Sequence, residues 1–308
     1  MTGVPVARIL GIEIRLQVGW VLVAAILATL TAARVSEVDP AVNPVIQWLL
    51  GGGVAAGFLG SAIAHDLGHA IVARRRGVDV RSILISFFGG ATPLDPAAPD
   101  AGDDLVIAIS GPVVSLALGG GLAVAATAIA ASGSIEALVA AQVLAVLAIL
   151  NLVLGGVNLV PAYPLDGGRI VRDIAWRRGG GQQDGWRAAA STGRIVALLT
   201  IVVGLGVAMS GDVTNGAMIA LSGWFLLLSA RAIRERVKVD ALIGDLTVED
   251  VMERDNPTVH PELTVDTFAG QLLDGETPIT AIAVVQGEQV IGLLGVRQVR
   301  RLRQRDWA

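Results

Sequence analysis

Cysteine is absent from this 308-residue chain. Its absence excludes thiol catalysis, disulfide staples and cysteine-ligated zinc, although it says little about redox compartment. Lysine occurs once, at Lys238, against 22 arginines, a balance typical of a GC-rich bacterial genome. Aromatic residues make up 4% and charged residues 16%, and a net charge of -4 excludes a broad basic face for nucleic acid. Histidine is scarce as well: His65, His69 and His260 are the whole complement.

Aliphatic residues fill the space. Hydrophobic residues reach 53%, and the mean hydropathy of +0.66 lies far outside the range of a soluble domain. Six runs approach the length a bilayer demands: Val18 to Ala33, Ile46 to Val72, Leu105 to Ala131, Ala137 to Val160, Ile195 to Met209 and Ala217 to Ala230. The expected fold is therefore an α-helical polytopic membrane protein with six transmembrane helices. Arginine supports that count. Of the loops on one side of such a bundle only the first carries a basic residue, Arg34, whereas every other Arg and Lys up to residue 238 falls on the opposite side. Basic loops stay inside, which predicts a bacterial cell membrane with both termini cytoplasmic.

The remaining segments are not spans. Val4 to Leu16 alternates Arg and Glu with aliphatics and reads as an interfacial strand, not a cleavable signal. Val80 to Phe88 is strand-like, followed by Gly89-Gly90 and three prolines, which predicts a membrane-associated hairpin. Hydropathy falls after Lys238, dividing the chain into a membrane domain, 1–238, and a small α/β module, 239–308. In that module Val248 to Glu253 and Phe268 to Asp274 read as short helices, Ile282 to Val285 and Val290 to Leu294 as a hairpin, and Val296 to Arg303 as a basic helix. The runs Gly51-Gly52-Gly53, Gly119-Gly120-Gly121 and Gly155-Gly156 lie within spans and predict close helix packing.

Chemistry concentrates at His65-Asp66-Leu67-Gly68-His69, inside the apolar run Leu59 to Val72. Residues four apart share a helix face, so both imidazoles reach one metal ion. Ionisable groups in a membrane are costly unless partnered, which makes these three functional by default. A catalytic zinc takes three protein ligands and keeps a fourth position open, so one ligand is missing. Asp166 is the candidate: Pro161 and Pro164 end regular helix before it, and Gly167-Gly168 permits a close turn after it. A solvated Asp in a surface turn is the other reading of those residues.

Together, His65-x-x-x-His69-Ala70 and Asn158-x-x-Pro161-x-x-Pro164-Leu165-Asp166-Gly167-Gly168 resemble the site-2 protease family of intramembrane zinc metalloproteases, over residues 5 to 235. Val4 to Leu16 resembles the family's leading strand, Ile83 to Thr92 its membrane hairpin, and Ile109-Ser110-Gly111-Pro112 the start of its third core span. The resemblance implies that His65, His69 and Asp166 hold one catalytic zinc and that Asp66 is the general base. It also implies that Asn158 binds the substrate backbone or the oxyanion, for which an interhelical hydrogen bond is the alternative. The family carries Glu where this chain has Asp66, shorter by one methylene, about 1.5 Å of reach. Implied partners are the lipid bilayer and single-pass membrane proteins cut within their transmembrane helices, such as anti-sigma factors. The tail, with Val248-Glu249-Asp250-Val251-Met252 and Val290-Ile291-Gly292-Leu293-Leu294, resembles a single CBS motif. Such motifs pair, so the resemblance allows a truncated pair or a homodimer through the tail, with an adenine nucleotide as its ligand. Two other functions fit the residues: a metal-retaining pseudoprotease that binds without cutting, and a CBS-regulated transporter.

Overall fold

The computed structural model describes residues 3–86, 100–243, 246–252, 258–268, 281–287 and 289–295. The chain divides into two compact units, 1–241 and 242–308.

The first unit opens with a β-hairpin, β1 (Val4–Ile9) and β2 (Ile12–Leu16). The expected single strand is folded back because Leu10 and Gly11 both take positive φ, 50° and 76°, the combination that a tight hairpin turn requires. Two helices follow, α1 (Gly19–Val38) and α2 (Pro44–Arg75), the second started by Asn43, whose side chain accepts from the Val45 N–H. Strand β3 (Ser82–Ile85) then returns to lie parallel to β2, in register Glu13 with Ser82. Alternation decides the buried face: Ile12, Ile14, Ile83 and Ile85 are at most 1% exposed and pack with Ala70, Ala73 and Ile107 of the helices. The hairpin's further arm, 87–92, lies outside the described residues.

Four more helices complete the bundle's spans, with a short one between: α3 (Ala101–Ala130), α4 (Ile135–Asn158), α5 (Asp166–Ala175), α6 (Gly181–Met209) and α7 (Val213–Ile243). Asp100 caps α3 by accepting from the N–H groups of Gly102 and Asp103, which holds its carboxyl below the usual carboxylate range. Among the described residues six helices, all but α5 of these seven, are long and apolar enough to cross a membrane. The six-span reading is borne out, with the fifth and sixth spans longer than their apolar runs because each continues through a polar, Arg-bearing end. A π-helical turn, Trp176–Gly180, with Gly179 at φ 99°, separates α5 from α6.

The second unit contains α8 (Val248–Val251) and three strands, β4 (Thr258–Val259), β5 (Ala281–Gln286) and β6 (Gln289–Gly295). β4 runs parallel to β5, and β5 and β6 form the expected hairpin around Gly287. Val259, Phe268 and Ile282 form its small core. The helix expected after Phe268 and the basic segment after residue 295 lie outside the described residues.

Candidate metal centre

α2 carries His65 and His69 on one face, and the N-terminus of α5 brings Asp166 to them. Asp166 Oδ2 lies 3.2 Å from His65 Nε2 and 3.2 Å from His69 Nε2, and the two Nε2 atoms are 3.3 Å apart. These are the three residues that the sequence singled out as metal ligands, Asp166 coming from 97 and 101 positions further along the chain.

Two glycines permit the approach. A Cβ on Gly167 would overlap the Val160 carbonyl, so only glycine lets the chain double back at the start of α5; a Cβ on Gly111 would overlap the His69 imidazole. Pro112, one residue further along α3, cannot donate to the helix ladder. Ile107, in the same stretch, offers its carbonyl to His69 Nδ1 at 2.7 Å.

That carbonyl can only accept, which places the hydrogen of neutral His69 on Nδ1 and leaves a lone pair on Nε2. His65 Nδ1 meets Ser115 Oγ at 2.8 Å, and Ser115 is fully buried. With His65 in the same tautomer, both Nε2 atoms and Asp166 Oδ2 turn lone pairs toward one point, and no donor lies among them. A proton shared among them or a metal cation at that point reconciles the three. A tetrahedral zinc with bonds of about 2.0–2.1 Å needs its donors about 3.3–3.4 Å apart, so the triangle fits the ion. The donor set, two imidazoles and a carboxylate, also suits zinc.

Asp66, next to His65, brings its carboxylate to the cluster: the ligand atoms of His65, Asp66 and His69 all lie within 4.8 Å of one another. A buried ion-pair network stands behind Asp166. Arg169 donates to Asp104 Oδ1 at 2.6 Å and its other terminal nitrogen is 4.0 Å from Asp166 Oδ1. Arg172 also donates to Asp104, and to Asp173 at 2.7 Å, while its guanidinium lies 4.6 Å from the Trp186 ring centre. Burial pushes the Asp173 carboxyl up, against the pull of Arg172 and Arg169. Ser115, Asp104 and Arg169 were not singled out by the sequence reading. Their signal was there: Asp104 begins an apolar span, Ser115 interrupts it, and Arg169 follows Asp166 by one helical turn.

The donors open on a cavity of about 700 Å³ lined by Trp20 and Val23 of α1, Phe58 of α2, Ile83 and Ile85 of β3, and Phe225 and Leu226 of α7. Asn158 lines it too, its Nδ2 donating to the Leu154 carbonyl of its own helix at 2.9 Å, with no bond to another helix among the described residues. His260 lies in the other unit, exposed.

Six membrane-length helices around a buried His-His-carboxylate set define a polytopic membrane protein with a candidate metal centre. Residues 53–141 and 126–201 match the model of peptidase family M50. The chain is 37% identical over 256 residues to the proposed zinc metalloprotease Rip3 of Mycobacterium tuberculosis, covering 83% of this chain and 65% of that one. It is 30% identical over 304 residues to the proposed zinc metalloprotease sll0528 of Synechocystis, covering 98% and 78%. A solved structure, the site-2 protease from Methanocaldococcus jannaschii, is 27% identical, with a TM-score of 0.47, over 75% of this chain and 94% of that one. The chain belongs to peptidase family M50, the site-2 protease family.

Proposed function

We propose that the protein is an intramembrane zinc endopeptidase that hydrolyses peptide bonds within the transmembrane helices of single-pass membrane proteins, anti-sigma factors being one class. The observation that carries this reading is the convergence of three lone-pair donors, 3.2–3.3 Å apart, on the wall of an apolar cavity that also holds a carboxylate. His65, His69 and Asp166 hold the zinc. Zinc bound there supplies a Lewis acid that activates water and polarises a carbonyl.

The chain's own residues do the rest. Asp66 accepts the proton of the attacking water and returns it to the leaving amide nitrogen. Asn158, on the cavity wall, gives up its bond to Leu154 to donate to the developing oxyanion. One turn of helix displaces roughly 500 Å³, so the cavity takes a short unwound stretch and not a helix segment with its neighbours. The segment Ile83 to Thr92 receives that stretch by strand addition, which reads the main chain and not the sequence; charged or proline substitutions at Ile85 and Phe87 that left cleavage unchanged would exclude this part. The arginine distribution supports both termini on the cytoplasmic side of a bacterial membrane. In the tail, reading it as one CBS motif, exposed Val290, Ile291 and Leu293 of β6 support pairing with a second copy, and an adenine nucleotide would bind only in the completed pair.

Asp66 itself favours a second reading. Its carboxylate reaches about 1.5 Å less than glutamate, and an ångström of misplacement costs about 100-fold, so the site is slow or a metal-retaining pseudoprotease. The test incubates purified chain, Asp66→Glu and Asp66→Asn, each with zinc, with single-pass helices in liposomes, and reads products by mass spectrometry. Cleavage by the chain, faster for Asp66→Glu and absent for Asp66→Asn, is the expected result. No cleavage by either carboxylate form, with zinc bound, establishes the pseudoprotease instead.

A further inference from the structure

We propose that α3, which contributes no metal donor, is the positioning helix of the metal centre, one face of it holding the outer side of all three donors. This rests on the metal reading above and goes beyond it. Asp104, Ile107, Gly111 and Ser115 recur at intervals of three and four along α3 and so share a face. Three of the four meet a histidine donor directly. Ser115 Oγ meets His65 Nδ1 at 2.8 Å, the Ile107 carbonyl accepts from His69 Nδ1 at 2.7 Å, and Gly111 leaves the space that the His69 ring fills. Asp104 acts at one remove, through Arg169.

The two polar contacts do different things. A neutral imidazole can carry its hydrogen on either nitrogen, and only the Nδ1–H tautomer leaves Nε2 able to bind a cation. With a cation on Nε2, neutral His65 carries its hydrogen on Nδ1, and the Ser115 hydroxyl, which can accept as well as donate, then accepts it, which stabilises this tautomer and fixes the ring's rotation. Arg169 governs how Asp166 binds. The guanidinium, anchored by Asp104, lies 4.0 Å from Oδ1, while Oδ2 is the oxygen 3.2 Å from each histidine. Holding Oδ1 by charge keeps the carboxylate from chelating with both oxygens. That leaves the fourth coordination position for water, which a hydrolytic zinc requires. Ser115 and Arg169 are thus positioning residues, one for tautomer and one for denticity.

The experiment measures zinc affinity by chelator competition on the full chain in detergent, together with the visible spectrum of the Co2+-loaded protein. Ser115→Thr and Ser115→Val share a shape and differ in the hydroxyl, so their difference reads the hydrogen bond whatever either costs in packing. Zinc binding weaker by about 10–100-fold in Ser115→Val than in Ser115→Thr is expected. Arg169→Met should lower the intensity of the cobalt bands as the centre passes from four towards five ligands, with the zinc stoichiometry retained. Equal affinity in the Thr and Val variants, with an unchanged cobalt spectrum in Arg169→Met, would make α3 a packing element only and overturn the proposal. Failure of the unsubstituted chain to bind zinc at all would overturn the metal reading itself, a separate and recognisable result.

Discussion

A methyl group at residue 111 would run into the His69 ring, because a Cβ there would overlap His69 Nε2. Gly111→Ala should therefore rotate His69 off the metal and cut zinc affinity at least tenfold, read by competition titration, because a ligand must stay within about 0.2 Å of its bonding distance. At Gly167 the obstacle is backbone, the Val160 carbonyl, which cannot turn aside as a side chain can. Gly167→Ala should displace Asp166 and reduce zinc binding further than Gly111→Ala, in the same titration. The inner residues of this site were legible in the sequence because each carries its own signal: a four-residue histidine spacing, a carboxylate among prolines and glycines. Ser115 and Arg169 were not, since a serine in an apolar span and an arginine near its end have many uses. Only the packing of α3 against α2 and α5 says which use applies.

Elements followed their patterns where one period ran unbroken. The long apolar runs gave α1 to α4 to within a few residues, and the alternation of Ile12 and Ile14 gave the buried face of β2. The turn within the leading strand was missed because Leu10, a bulky residue, takes a left-handed conformation that leucine avoids. Its side chain is exposed, and Arg74 anchors its carbonyl at 2.7 Å, which holds the turn in place. Leu10→Asn relieves that strain and should raise the melting midpoint in detergent by about 2–4 °C, corresponding to about 1 kcal/mol. Helix α5 was hidden for a different reason: at ten residues it is too short to span, and its polar face is spent on Asp104 and the donors, not on water. Of the glycine runs, one residue in each packs closely: Gly51 on Ala28, Gly119 on Leu152, Gly155 on Leu116. Composition could show the runs but not which member faces a neighbour.

For the whole molecule, the division near residue 241 puts every donor, every outer partner and the entire cavity lining in the first unit. A chain ending at residue 241 should therefore bind zinc as tightly as the full chain, by the same competition assay; a loss would mean that the tail completes the site. Metal should also hold the helices together, since in the proposed site α2 and α5 donate to one ion. Binding to the folded state alone stabilises by about 4 kcal/mol at a thousandfold excess over Kd, so removing zinc by a chelator should lower the melting midpoint, and added zinc should restore it.

Parallel pairing of β2 with β3 joins residues 12–16 to residues 82–85 across the whole of α1 and α2. During translation the hairpin leaves the ribosome before α1, α2 and β3, so its inward isoleucines have no cover until two spans have been threaded into the bilayer and the third strand has been made. The wall of the cavity is thus assembled late in biogenesis, and until then the nascent chain carries an open strand edge at the membrane surface, the stage at which it is most exposed to misassociation with its neighbours.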